Sequence, residues 1–188
     1  RRYNPGGEMY TDADGNKHYY TDQTDNYLQK NYQLLLNHSF STAWNLNVAL
    51  HYTKGDGYYE EYKPGSSLVE YGLKPFNPDG TETNESDLVR QKKMDNKFGG
   101  GVFSLNYTGN RLTASLGGGL NQYRGNNFGK VTWVKNYIGN LSPEHEYYRN
   151  KSKKTDGNIY LKANYDLTST LSAYADCNTA ILITQSME

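Results

Sequence analysis

The chain has one cysteine, Cys177, in 188 residues, so neither a disulfide framework nor a cysteine-rich metal site can be built from it. It carries no net charge, with 20 basic and 20 acidic residues, and therefore lacks the electrostatic footprint of a nucleic-acid binder. No apolar run reaches 18 residues, which excludes a transmembrane helix. The longest apolar stretches are Leu34-Leu35-Leu36 and Ala180-Ile181-Leu182-Ile183. A signal peptide is also missing: the chain opens at Arg1 on polar, loop-like sequence, and both ends read as cut from something larger. His18, His38, His51 and His145 fall on separate segments, so the three or four converging ligands that zinc needs are not in view. No acid, base and nucleophile converge either. The expectation is a protein that is not an enzyme and holds no cofactor or metal.

What is present points to strands. Hydrophobic residues make up only 35%, yet there are 19 tyrosines and 19 glycines. Aromatics fit a pleated surface, and glycine serves turns and bulges. Six segments alternate with period two, the signature of a strand with two different faces. Over 27–40, Leu28, Lys30, Tyr32, Leu34, Leu36, His38 and Phe40 oppose Tyr27, Gln29, Asn31, Gln33, Leu35, Asn37 and Ser39, one side mostly apolar and the other mostly polar. Over 44–52, Trp44, Leu46, Val48, Leu50 and Tyr52 oppose Asn45, Asn47 and His51. The rule repeats at Phe103, Leu105 and Tyr107, with Val102 as an exception, and over 112–121, 158–165 and 171–176.

The connections alternate in length. Short ones at 41–43, 108–110 and 166–170 join the segments into three hairpins, while 53–97 and 124–157 read as loops of 45 and 34 residues. Such loops are uncommonly long for a compact soluble domain. Short turns at one end and long loops at the other are the plan of bacterial outer-membrane barrels. Phe40, Trp44, Tyr107 and Tyr165 all sit on the apolar face beside a short turn, where they would form the periplasmic aromatic girdle. The polar face carries mainly Asn, Gln, Ser and Thr, with formal charge limited to Lys162 and Asp176. A soluble surface would carry about 25–35% charged residues. The fold expected is all-β: an antiparallel transmembrane β-barrel segment of about six strands, with short periplasmic turns and long extracellular loops. A secreted soluble β-sandwich that binds glycans through surface tyrosines, or a passive porin, is the alternative.

Several stretches carry a family resemblance. Asp25-Asn26-Tyr27 leading into Tyr32-Gln33-Leu34, Ala49-Leu50-His51-Tyr52-Thr53 running into Gly57-Tyr58-Tyr59-Glu60, and Phe103-Ser104-Leu105-Asn106-Tyr107 are three of them. Phe128-Gly129-Lys130-Val131-Thr132-Trp133 and Asn158-Ile159-Tyr160-Leu161-Lys162-Ala163-Asn164-Tyr165 are two more. Up to Asp176 the chain resembles the barrel of TonB-dependent receptors of the Bacteroidetes-type outer membrane. The resemblance implies a barrel of about 22 strands around a plug, in the outer membrane of a Gram-negative bacterium. Its partners would be the lipid bilayer, the TonB complex through N-terminal parts outside this sequence, and a small nutrient: an iron-siderophore, haem, cobalamin or a glycan. Residues 1–176 would be a partial barrel with the plug domain absent. Residues 177–188 break the alternation and read as an aberrant, frameshifted tail. One permitted codon choice for Cys177-Asn178-Thr179-Ala180-Ile181-Leu182, shifted by one base, reads Leu-Gln-Tyr-Arg-His-Ile and continues the strand.

Two sets of candidate residues remain. Asp12, Asp14 and Gly15, with Asp22 and Asp25, have the composition of a calcium loop but lack its terminal Glu, and read as a turn. Asp14-Gly15 and Asp79-Gly80 are turn signals. In the long connections, Tyr58, Tyr59, Tyr62 and Trp133 are the residues most able to face a ligand, by stacking in an extracellular vestibule. The competing and favoured role for such aromatics, which include Tyr71, Phe76, Phe128, Tyr137, Tyr147 and Tyr148, is to brace the loops.

Overall fold

The computed structural model describes residues 8–19, 25–74, 83–135, 137 and 145–187. A small hairpin pairs β1 (Glu8–Thr11) with β2 (Lys17–Tyr19). The main body is one antiparallel sheet of β3 (Asp25–Ser39), β4 (Trp44–Ser67), β5 (Glu85–Thr108), β6 (Leu112–Val134), β7 (Glu146–Asp166) and β8 (Ser172–Met187). The strands lie side by side in chain order, an up-and-down meander that leaves β3 and β8 as open edges. The expected all-β antiparallel architecture and its six strands are present.

The three tight turns fall where the sequence places them. At 40–43, Phe40 N donates to Trp44 O (3.0 Å), and Ser41 Oγ accepts from the amides of Ala43 and Trp44 (3.2 Å each). At 109–111, Gly109 N donates to Leu112 O (2.8 Å). At 167–171, the amides of Leu167 and Thr168 both reach Leu171 O (2.9 and 3.0 Å).

The register aligns the parity rule across the sheet. Leu36, Val48, Phe103, Gly118 and Ile159 form one transverse row, and Leu34, Leu50, Gly101, Leu120 and Gly157 the next. A third row holds His38, Leu46, Leu105, Leu116 and Leu161. All three lie on one face, because side chains alternate across a strand. That face has no cover among the described residues: Leu36 is 54% exposed, Leu50 48%, Ile159 49% and Leu161 52%. The sheet is therefore not half of a sandwich within these residues.

One reading of the sequence needs correction. The connections read as loops over 53–97 and 124–157 are mostly strand, since β4 runs to Ser67, β5 starts at Glu85, β6 runs to Val134 and β7 starts at Glu146. Residues 68–84 and 135–145 lie between these strands. The backbone ladder continues where the apolar face ends, so loss of alternation marks a change of surroundings and not the end of pairing. Residues 177–187 continue β8 in unbroken register with β7, from Leu161↔Cys177 to Lys151↔Met187.

The buried core is small and sits at the long-connection end. A 3-10 turn at Val69–Tyr71, ended by Gly72 at φ 66°, brings Leu68, Tyr71 and Leu73 onto Leu88, Val131 and Val134. Leu68, Leu88 and Val131 are fully buried there.

Candidate functional site

The polar face carries two arrangements. Near the short turns, amides and hydroxyls form a side-chain network across β3, β4, β5 and β6. Asn37 Nδ2 donates to Asn47 Oδ1, Asn45 Nδ2 to Asn37 Oδ1 (3.3 Å) and Asn47 Nδ2 to both Asn45 Oδ1 (2.8 Å) and Ser104 Oγ (3.3 Å). Asn106 then links Ser104 and Ser115. Farther along the strands, His51, Gly100, Asn121 and Asp156 share one row. Asn121 Nδ2 donates to Asp156 Oδ2 (3.0 Å), while His51 Nε2 and Asn121 Oδ1 are buried without a partner among the described residues. Unsatisfied buried polar atoms invite a further donor or acceptor.

Above this, the 68–74 segment folds over the same face and caps it. Arg90 lies on the polar side of β5. Its Nε and Nη2 donate to Glu61 Oε2 (3.0 and 2.9 Å) and its Nη1 to the Tyr71 hydroxyl (3.1 Å). Lys63 Nζ approaches Glu61 Oε1 at 2.6 Å. Burial pushes the Glu61 carboxyl up, but the hydrogen bonds and charges of Lys63 and Arg90 outweigh it and hold it below the ordinary carboxyl value. His145 Nε2 donates to the Tyr71 carbonyl (2.7 Å), which ties the second connection to the first. Tyr147 packs edge-on against Tyr71, centroids 4.7 Å apart, and burial pushes its hydroxyl up to about 12.

The four candidate ligand aromatics do not converge. Tyr59 pairs with Lys92 on the polar face, with the Lys92 ammonium 5.9 Å from its ring centre. Tyr58, Tyr62 and Trp133 are on the opposite face. Tyr62 and Trp133 both stand across from Val89 and stack at 6.3 Å, and Tyr58 receives Lys93 at 5.1 Å. The Tyr62 hydroxyl leads the interactions that hold the Asp87 carboxyl below its ordinary value, followed by the Gly65 amide. Tyr71, Tyr137 and Tyr147 brace the cap, and Phe76 lies outside the described residues.

The aromatics beside the short turns lie near one level of the sheet, with Trp44 and Tyr107 in contact. Trp44 stands opposite Tyr107 with rings 4.9 Å apart, Tyr165 faces Leu112 one row nearer the turns, and Phe40 meets His38 edge-on at 4.6 Å. At the small hairpin, Asp12 organises a turn: its Oδ1 accepts from the amides of Asp14 and Asn16 (3.1 and 2.8 Å), its Oδ2 meets His18 Nε2 at 2.9 Å, and Gly15 sits at φ 83°. Asp22 and the Asp79-Gly80 pair lie outside the described residues.

Sequence reasoning missed Glu61, Arg90 and His145. They stand in stretches that read as loop, and no local spacing links residues that meet only through strand register. No protein-family model matches the chain, and no curated protein is significantly similar to it.

Proposed function

We propose that the chain is part of the wall of an outer-membrane β-barrel of the TonB-dependent receptor type, importing a scarce nutrient such as an iron-siderophore, haem, cobalamin or a glycan. The observation that carries this reading is a sheet whose apolar rows are uncovered and whose other face is lined with amides. An uncovered apolar face suits lipid, and a face lined mainly with amides and hydroxyls suits an aqueous or plugged lumen. Trp44, Tyr107, Phe40 and Tyr165 then lie at the periplasmic interface. Strands of 24, 24 and 23 residues in β4, β5 and β6 are long enough to cross a bilayer and continue beyond it. The open edges support a wall completed by further strands, since unpaired backbone groups in lipid cost several kcal/mol each.

The test uses the full-length receptor in an outer membrane with and without TonB. Uptake of the cognate nutrient should stop without TonB while binding persists. Uptake that ignores TonB and rises linearly with concentration would make the protein a passive porin. The register adds a sharper expectation about capture. Tyr59 faces the lumen beside Glu61 and Arg90, whereas Trp133 faces away, so Tyr59→Ala should weaken binding about tenfold and Trp133→Ala less than about threefold.

A further inference from the structure

The strand register places five cations in one line. Lys30 stands opposite Lys54, Lys54 opposite Lys97, Lys97 opposite Arg124, and Arg124 opposite Lys153. The line crosses β3 to β7 and stops at Gln185 on β8. All five belong to the apolar face by parity, and Lys30, Lys54, Lys97 and Arg124 are exposed. Elsewhere Lys63, Arg90, Lys135, Arg149 and Lys162 have carboxylate partners, and Lys92 and Lys93 lie over tyrosine rings. None of the five is within ion-pair distance of a carboxylate among the described residues, including Asp56 and Asp95 in the next row outward. Arg124 only donates its Nε to Gln122 Oε1 at 2.8 Å.

Like charges directly opposite across strands destabilise a sheet. Four such pairings in succession, with Asp56 and Asp95 one row away as the neighbouring carboxylates and none within ion-pair distance, leave room for an external anion. The level of the line says which. Lys54 is ten residues from Trp44 in β4, and Lys97 is ten from Tyr107 in β5. At about 3.4 Å per residue that is about 34 Å along the strand. With strands tilted about 40°, it is about 26 Å along the membrane normal, close to the height of about 25 Å of a barrel's apolar band. One row below the cations lie Tyr32 and Tyr52, rings 6.3 Å apart, at the level where interfacial aromatics belong. The line spans four inter-strand gaps, or about 19 Å, enough to meet more than one headgroup.

We propose that Lys30, Lys54, Lys97, Arg124 and Lys153 bind the phosphate groups of outer-leaflet lipid headgroups, a proposal that rests on the membrane-wall reading above. Each cation near an anionic surface adds roughly fivefold to its attraction, so the line concentrates phosphate-bearing lipid around this part of the wall.

The full-length receptor, reconstituted in nanodiscs of phosphatidylcholine doped with the phosphate-monoester lipid phosphatidic acid, tests it. Lipid retained by the protein is read by native mass spectrometry. Wild type should retain phosphatidic acid on the order of tenfold above its bulk share, falling as salt is raised. Changing all five cations to Gln should return retention to the bulk ratio, while changing the four lysines to Arg should preserve it. Lys92→Gln with Lys154→Gln, on the opposite face, should leave it unchanged. Millimolar inorganic phosphate should not displace the lipid; displacement would show a site for free phosphate instead and overturn the lipid assignment. Enrichment that survives the Gln changes overturns the proposal while leaving the wall intact. Failure of the wild type to enter nanodiscs at all overturns both, and co-elution with the discs tells the two failures apart.

Discussion

Gly117 and Gly118 are neighbours in β6 with different obstacles. A Cβ on Gly117 would meet the outer ring atoms of Tyr160, which can swing aside. One on Gly118 would meet the Asn158 carbonyl oxygen at 2.5 Å and the Ile159 Cα at 3.3 Å, which are backbone and cannot move alone. Gly118→Ala should therefore destabilise the folded sheet by about 1–3 kcal/mol and Gly117→Ala by less than about 1 kcal/mol. Urea titration of the folded form, followed by its mobility in unheated gels, measures both, and equal losses would refute the distinction. In the sequence, a mid-strand run such as Gly117-Gly118-Gly119 marks a bend or a close approach of backbone. It does not show that one neighbour is a ring and the other a main chain, because Tyr160 and Asn158 belong to the next strand.

The long-connection end of the sheet holds carboxylates whose charge is favoured by folding, Glu61 beneath the cap and Asp87 and Glu146 on the other face. Lys63 and Arg90 outweigh burial at Glu61, the Tyr62 hydroxyl leads at Asp87, and Arg149 leads at Glu146. All three have pKa values depressed below the ordinary carboxyl range of about 4. Their contribution is complete above that range and is lost as pH falls through the depressed values. Protease cleavage within 68–84 and the emission of Trp133 should both be constant from about pH 5 to 8 and change only below about pH 4. A cap that opens near pH 6 would contradict this origin. The hairpins, their turns and the two faces were legible at this scale because period two survives wherever one face is apolar. The outer halves of β4 to β7 were not, since both faces there are polar and only the backbone ladder, which leaves no compositional mark, keeps them extended. The cap was hidden for the same reason: Glu61 and Arg90 are 29 positions apart and meet through register.

For the molecule as a whole, the faces decide the outcome of a single charge. Val48 and Asn47 are adjacent but point in opposite directions, one into an apolar row and the other into the amide network. In lipid, Val48→Arg should cost about 2–4 kcal/mol near the midplane, and Asn47→Arg much less. Equal costs, measured by refolding the full receptor into bilayers, would reverse the assignment of faces. Register carries a further consequence. A strand that slips by one residue turns its apolar side chains inward, an error the membrane itself rejects. A slip by two keeps every face correct and escapes that check. It would, however, part Trp44 from Tyr107, shift Tyr160 off Gly117, and pull one lysine out of the line from Lys30 to Lys153. These features act as vernier marks along the strands, so assembly has a means of telling the right alignment from its nearest plausible error.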